Sequence, residues 1–302
     1  FANTSGSMNT GLGSQTLKSN TTGGSNTALG SQALQLNSTG SDNTSIGMSS
    51  LTSNTTGEKN VAVGKSALYS NTTGIENTSV GHGSLYANTT GGSNVSMGIW
   101  SLSFNSTGSS NTAIGTSAAA QNTTGSHNVA LGLGALVSNK ANSRSTAVGN
   151  YAMLNADNRT SGIETFNTAV GYEALRGSDS APDNTGIANV AIGDQSMLSN
   201  TSGSYNTAVG RTSLKSNTTG ESNTAFGNAA LYKNETGTGN TGVGKNSLYE
   251  NLGSGNSAFG IASLQMNTTG DNNTAVGKEA LKFNTTGINN TASGVESLTI
   301  NT

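Results

Sequence analysis

The chain has 302 residues, a formal charge of −2 and only 9% charged residues, so no net field draws it to nucleic acid or to an anionic membrane. Aromatics make up 5% and cysteine is absent, which excludes a thick apolar core, disulfides and thiolate metal sites. No apolar run approaches the roughly 20 residues that span a bilayer, and the opening FANTSG has neither Met nor a signal-peptide pattern; a mature or excised segment without membrane insertion is expected.

From the N-terminal end one phrase recurs. Its closing glycines, Gly13, Gly30, Gly47, Gly64, Gly81, Gly98, Gly115, Gly132 and Gly149, stand 17 residues apart, and a fixed period of that size marks stacked supersecondary units. Each unit opens on an NTAVG-like run whose alternation and β-branched residues predict a short strand ended by Gly. An AL pair then begins a second extended piece, and NTTG closes the unit as a turn in which Asn and Thr bond locally and Gly accepts positive φ. Asn, Thr, Ser and Gly are poor helix formers. The fold class expected is therefore all-β: a parallel β-solenoid, or β-roll, of about 17 coils of 17 residues.

After Gly149 the spacing lengthens, Gly171 and Gly193 each following 22 residues behind, and enlarged turns are expected near 139–144, 154–166 and 176–188. Interrupting neighbouring coils at one turn, they are expected to project together and gather Lys140, Arg144, Asp157, Arg159, Glu164, Arg176, Asp179 and Asp183 into a candidate recognition patch; the other reading is tolerated loop insertion. The beat resumes with Gly210, Gly227, Gly244, Gly260, Gly277 and Gly294, so residues 1–302 read as one repeat-built domain.

The columns divide by chemistry. The residue before the closing Gly, from Leu12, Leu29 and Ile46 to Phe259 and Val276, is expected to be core, as is the column from Leu17 to Leu298. The Asn opening each phrase, such as Asn26, Asn43 and Asn60, suits a stacked amide ladder. The middle residue of NTAVG is always Gly, Ala or Ser. Two readings are open: Ala28, Ala62, Ala113, Ala130, Ala147, Ala208 and Ala275 form a face against another chain, or a tight coil interior itself demands small residues.

The NTT and NST turns match the N-x-Ser/Thr pattern, giving Asn20, Asn37, Asn54, Asn71, Asn88, Asn105, Asn122, Asn200, Asn217, Asn234, Asn267 and Asn284 as candidate glycan acceptors on one exposed turn. The same residues are what a turn wants without any glycan. Tyr69, Tyr86, Tyr232 and Tyr249, with Phe104 and Phe283, follow the Leu column and suit either sugar stacking or edge packing. Only two histidines, His82 and His127, occur; no catalytic triad, metal cluster or cofactor is expected.

The phrase NTAVGxxALxxNTTGxx resembles the head repeats of trimeric autotransporter adhesins, whose shorter phrase of the type S-V-A-I-G-x-x-A builds a left-handed parallel β-roll, and the repeats of phage tail-fibre proteins. The resemblance implies a homotrimeric extracellular fibre, on a cell surface or virion, that adheres to glycans or proteins of a host surface or matrix. The period of 17 is longer than in those heads, and no neck, stalk, anchor or chaperone segment is present in this sequence. A self-assembling, glycosylated extracellular filament is the alternative. An ice-binding solenoid is a third reading, weakened where Val61, Val95, Val129 and Val190 replace the Thr of NTAVG.

Overall fold

The computed structural model describes residues 2–156, 158–179 and 184–301. The chain divides into two compact units, Phe1–Ser145 with Asn158–Glu164, and Thr146–Asp157 with Thr165–Thr302. Each is a parallel β-solenoid. The first unit holds β1 (Thr10–Leu12) through β8 (Val129–Leu131), and the second β9 (Thr146–Val148) through β17 (Thr291–Ser293), every strand three residues long. Successive strands pair in register, Ala113 with Ala130 and Ile114 with Leu131 in one unit, Ala208 with Ala225 and Val209 with Phe226 in the other. No helix of the described residues is long and apolar enough to cross a membrane.

One coil shows why this sequence closes on itself. In 273–289, Thr274–Val276 form the strand. Gly277 then turns the chain at φ 130, a region that excludes side chains. Space imposes the same choice: a Cβ on the equivalent Gly47 would lie 2.6 Å from the carbonyl oxygen of Gly64. Beyond the corner, Glu279, Leu281 and Asn289 adopt left-handed φ of 57, 49 and 57. These reversals re-aim the peptide groups so that a coil bonds on both sides. The Glu279 N–H donates back to Ile261 O at 2.9 Å, the Leu281 N–H forward to Ser297 O at 3.0 Å, and the Asn289 N–H back to Asp271 O at 3.0 Å.

The glycine of NTTG works differently from the sequence expectation. Gly57 and its equivalents do not have positive φ, the left-handed residue being the one before the next Asn, such as Lys59 at φ 58. What requires Gly there is contact: a Cβ on Gly57 would run into Asn54 Oδ1 and the carbonyl oxygen of Gly74.

The interior is built from columns of like residues. The Leu column points inward, with Leu34, Leu51, Leu68, Leu85, Leu102, Leu136, Leu214, Leu231, Leu248, Leu264 and Leu281 fully buried. The Ala and Ser that precede it, such as Ala33, Ala67 and Ser84, are also buried. Both Asn columns lie inside as ladders. Asn43 Nδ2 donates to Asn26 Oδ1 at 3.1 Å and to Gly57 O at 2.9 Å, while Asn88 Nδ2 donates to Asn71 Oδ1 at 2.8 Å and to Gly91 O at 2.9 Å. A buried amide left unpaired costs about 1–3 kcal/mol, so the second ladder, invisible as such in the turn motif, offsets a cost that every coil would otherwise carry.

Two face assignments are corrected. The column before the closing Gly is not core: Leu12, Ile46, Met97, Ile114, Ile192, Phe226, Phe259 and Val276 are exposed, and Leu29, Val63, Val80 and Val148 half-buried. The small column is not a surface: Ala28, Ala62, Ala113, Ala130, Ala147, Ala208 and Ala275 are fully buried within the single chain. The physical reason is room. At Gly242 an added Cβ would already sit 3.0 Å from Ser247 Oγ and 3.4 Å from Leu231 Cγ, so Ala nearly fills the space, Ser fits where its hydroxyl bonds a carbonyl, as Ser79 Oγ does to Ser84 O, and a larger side chain overpacks it.

Candidate interaction surfaces

From β2 onward each strand presents its first and third residues outward and buries its middle residue. The outer face therefore pairs a Thr or Val column with an apolar one. In the first unit the latter runs Leu12, Leu29, Ile46, Val63, Val80, Met97, Ile114 and Leu131; in the second it runs from Val148 to Val276, with Ser293 last. Leu12 is 67% exposed, Phe226 56% and Val276 44%. A solvated strand face ordinarily alternates to polar residues, and in neither unit does a charge enter this column.

The NTTG asparagines, expected on an exposed turn, instead lie inside the folded chain. Asn37, Asn54, Asn71, Asn88, Asn105, Asn122, Asn217, Asn234, Asn267 and Asn284 are fully buried, with Asn20 and Asn200 nearly so. Their amide groups are spent in the ladder, as when Asn37 Nδ2 donates to Asn20 Oδ1 at 2.8 Å and Gly40 O at 2.9 Å. Solvent meets the following threonines instead. Of these, Thr55 and Thr72 donate their hydroxyls to Thr72 O and Thr89 O.

The expected recognition patch resolves into pairs within each unit. In the first, Arg144 Nε lies 3.1 Å from Glu164 Oε1, and the inserted segment docks through Ser143 N–H to Ile163 O at 2.9 Å. Lys140 contributes its carbonyl, which accepts from Thr123 N and Thr123 Oγ1; Arg159 is exposed. In the second, Arg176 Nη2 meets Asp179 Oδ1 at 2.8 Å, and Asn184 Oδ1 accepts from the Ser178 N–H at 2.9 Å. Asp157 and Asp183 lie outside the described residues. Much of this charge is thus engaged in holding the enlarged turns.

The aromatic residues form two ledges at the coil edge. In the second unit Tyr232 and Tyr249 stack at 4.9 Å and 6°, with Lys215 5.8 Å from the Tyr232 ring centre. Beside them Lys233 Nζ meets Glu250 Oε2 at 2.7 Å, a hydrogen bond that raises the ammonium above its ordinary 10.5. A raised lysine contributes fully below that ordinary value and loses its contribution as pH climbs through the folded one; being exposed, the pair is also screened by salt. In the first unit Tyr69 and Tyr86 stack at 5.1 Å and 5°.

The sequence reading placed neither Trp100 nor His82 in that first ledge. Trp100 tilts against Tyr86 at 6.2 Å and 60° and against His82 at 4.9 Å and 58°. The signal for them was Gly83, which stands one period before Trp100 where adjoining coils carry Ser66 and Ser117. Among the described residues no three His, Cys, Asp or Glu gather to hold a metal ion. Compared with known proteins, the chain matches no family model and no curated sequence.

Proposed function

We propose that the chain is a non-enzymatic, extracellular fibrous segment, a structural and adhesive part of a cell surface or virion, whose copies associate through the outer strand faces. The observation that carries this reading is the apolar outer column, kept free of charge in both units. Side chains that would otherwise stand in water at every strand favour a cover. A cover lying along the strands must match their spacing, about 4.8 Å, and a second copy of this chain supplies that repeat with the same chemistry. Three copies, left-handed coils and a host-surface ligand are what the resemblance to adhesin heads and tail fibres adds.

Sedimentation of the purified chain tests the association. The expected result is an oligomer that Met97→Glu, Ile114→Glu and Leu131→Glu together convert to monomer while the circular dichroism stays unchanged. A wild-type monomer with this fold would defeat the reading. The corresponding inward change, Ala113→Glu, is expected to break its coil rather than separate chains, because the site has no room for a carboxylate and no partner for it.

The outward threonines give a second reading a specific footing. In the first unit Thr10, Thr27, Thr44, Thr78 and Thr112 open strands whose first residue faces out, the arrangement an ice-binding face needs. Val61, Val95 and Val129 interrupt that row. Thermal hysteresis in the purified chain would favour this reading over adhesion; its absence removes it.

A further inference from the structure

Trp100 is the only tryptophan, and its setting is built rather than incidental. A Cβ on Gly83 would come within 2.5 Å of Cε3 and 3.0 Å of Cδ2, and closer still to Cζ3. Those three atoms run along the six-membered ring, so the indole rests on Gly83 by its face. Trp100 nevertheless stays 41% exposed. His82 and Tyr86 flank it at tilts of 58° and 60°, and Tyr86 is itself fixed by stacking on Tyr69. The result is a part-exposed cluster of aromatic rings centred on the indole.

Its chemistry selects among ligands. The same positions of the adjoining coils carry Lys65, Ser66, Thr116 and Ser117, an ammonium and three hydroxyls with no carboxylate among them. An aromatic cage for a quaternary ammonium gains from nearby negative charge, whereas Lys65 opposes a cation. A pyranose fits both parts: its C–H face lies on an aromatic floor while its hydroxyls reach polar groups at the rim, the amphipathic use to which exposed Trp and Tyr are suited. We propose that Trp100, flanked by His82 and Tyr86, is a binding site for the face of a saccharide pyranose ring.

The proposal deepens the adhesive reading, on which it rests for its use, by naming a ligand class and a place. The lone indole is also the reporter. Full-length chain is titrated with maltotriose, lactose and chitotriose while Trp100 emission is followed. A saturable blue shift with at least one of them is expected in the millimolar range or below, with none from choline. Gly83→Ser puts into this coil the residue its neighbours already tolerate and unseats the indole; the affinity should fall by about tenfold or more. Trp100→Ala, followed by calorimetry, should abolish binding and serves if the serine variant fails to fold. No response to any of the three sugars, an equal response to choline, or an affinity unchanged in Trp100→Ala would overturn the proposal. A wild-type monomer that still binds sugar would defeat the self-association reading alone, and an oligomer that binds none would defeat only the sugar site.

Discussion

At the residue scale, the unusual element is a leucine column held at left-handed φ, from 44 at Leu298 to 55 at Leu136. That conformation costs an L-residue about 1–2 kcal/mol and is worse for a branched Cβ. The column persists because the reversal turns each side chain into the core and each N–H toward the next coil, as in Leu85 to Ser101 O at 3.0 Å. Leu136→Met should therefore lower stability by less than about 1.5 kcal/mol, and Leu136→Ile by roughly 2 kcal/mol more, read as a shift in the denaturation midpoint. Equal effects would mean that the backbone there is not strained. The Asn ladder makes a pH-dependent counterpart. Asn88→Asp removes the donor to Asn71 Oδ1 and Gly91 O and places a carboxyl in a fully buried site. Burial raises a carboxyl's folded pKa, so stability is highest below the unfolded value of about 3.9 and falls as pH rises through it. The variant should be nearer to wild type at pH 3 than at pH 7; the reverse order would show that the ladder is wet.

At the scale of one coil, the strand, the corner glycine and the closing turn were legible because the period repeats each signal many times and chance cannot. The phase of the strand was the part misread, although the residues contain it. Side chains alternate at a period of two, so Asn273 and Ala275 share one face of the strand, and Thr274 and Val276 the other. Placing Asn273 in a buried ladder and Val276 in the core at once is therefore inconsistent. Hydrophobicity favoured Val inside, yet the ladder wins, because a buried amide pairs above and below while Ala and Leu281 from the opposite wall fill the remaining space. The turn asparagines were misread for a related reason. A sequon and a second ladder are spelled alike, and only the stacking of Asn54 on Asn37 at 2.8 Å separates them. Which charges meet in the turns expected near 139–144, 154–166 and 176–188 depends on chain paths that no period specifies. Trp100 was missed because its meaning lies in Gly83, an absence of side chain one coil away. A variant with Asn71→Ala and Asn88→Ala should lose less than the sum of the two single losses, since the first change already unpairs the second residue. Strict additivity would deny the ladder its continuity.

At the scale of the whole molecule, each unit is a chain of like neighbours rather than a packed globule. In the first unit the strands pair only in succession, β1 with β2 and so on to β7 with β8, each in register. Stability in such an array is close to a sum of coil terms and nearest-neighbour terms, and a local loss need not become a global one. Leu85→Ala tests this. Leu85 is fully buried, and its truncation should cost about 3 kcal/mol, roughly a hundredfold in the exchange rate of amides that open with its coil. The Leu85 N–H, bonded to Ser101 O, and the Leu68 N–H, bonded to Ser84 O, should speed most. The Thr27 N–H, bonded to Asn43 O at 2.8 Å, lies three coils before Leu85 and should speed little. If the unit instead opened all at once, these three amides would accelerate by the same factor, since each would exchange through one common unfolded state. A graded response would also explain how the period tolerates steps of 16 and 22 residues: a coil that answers mainly to its two neighbours constrains nothing beyond them.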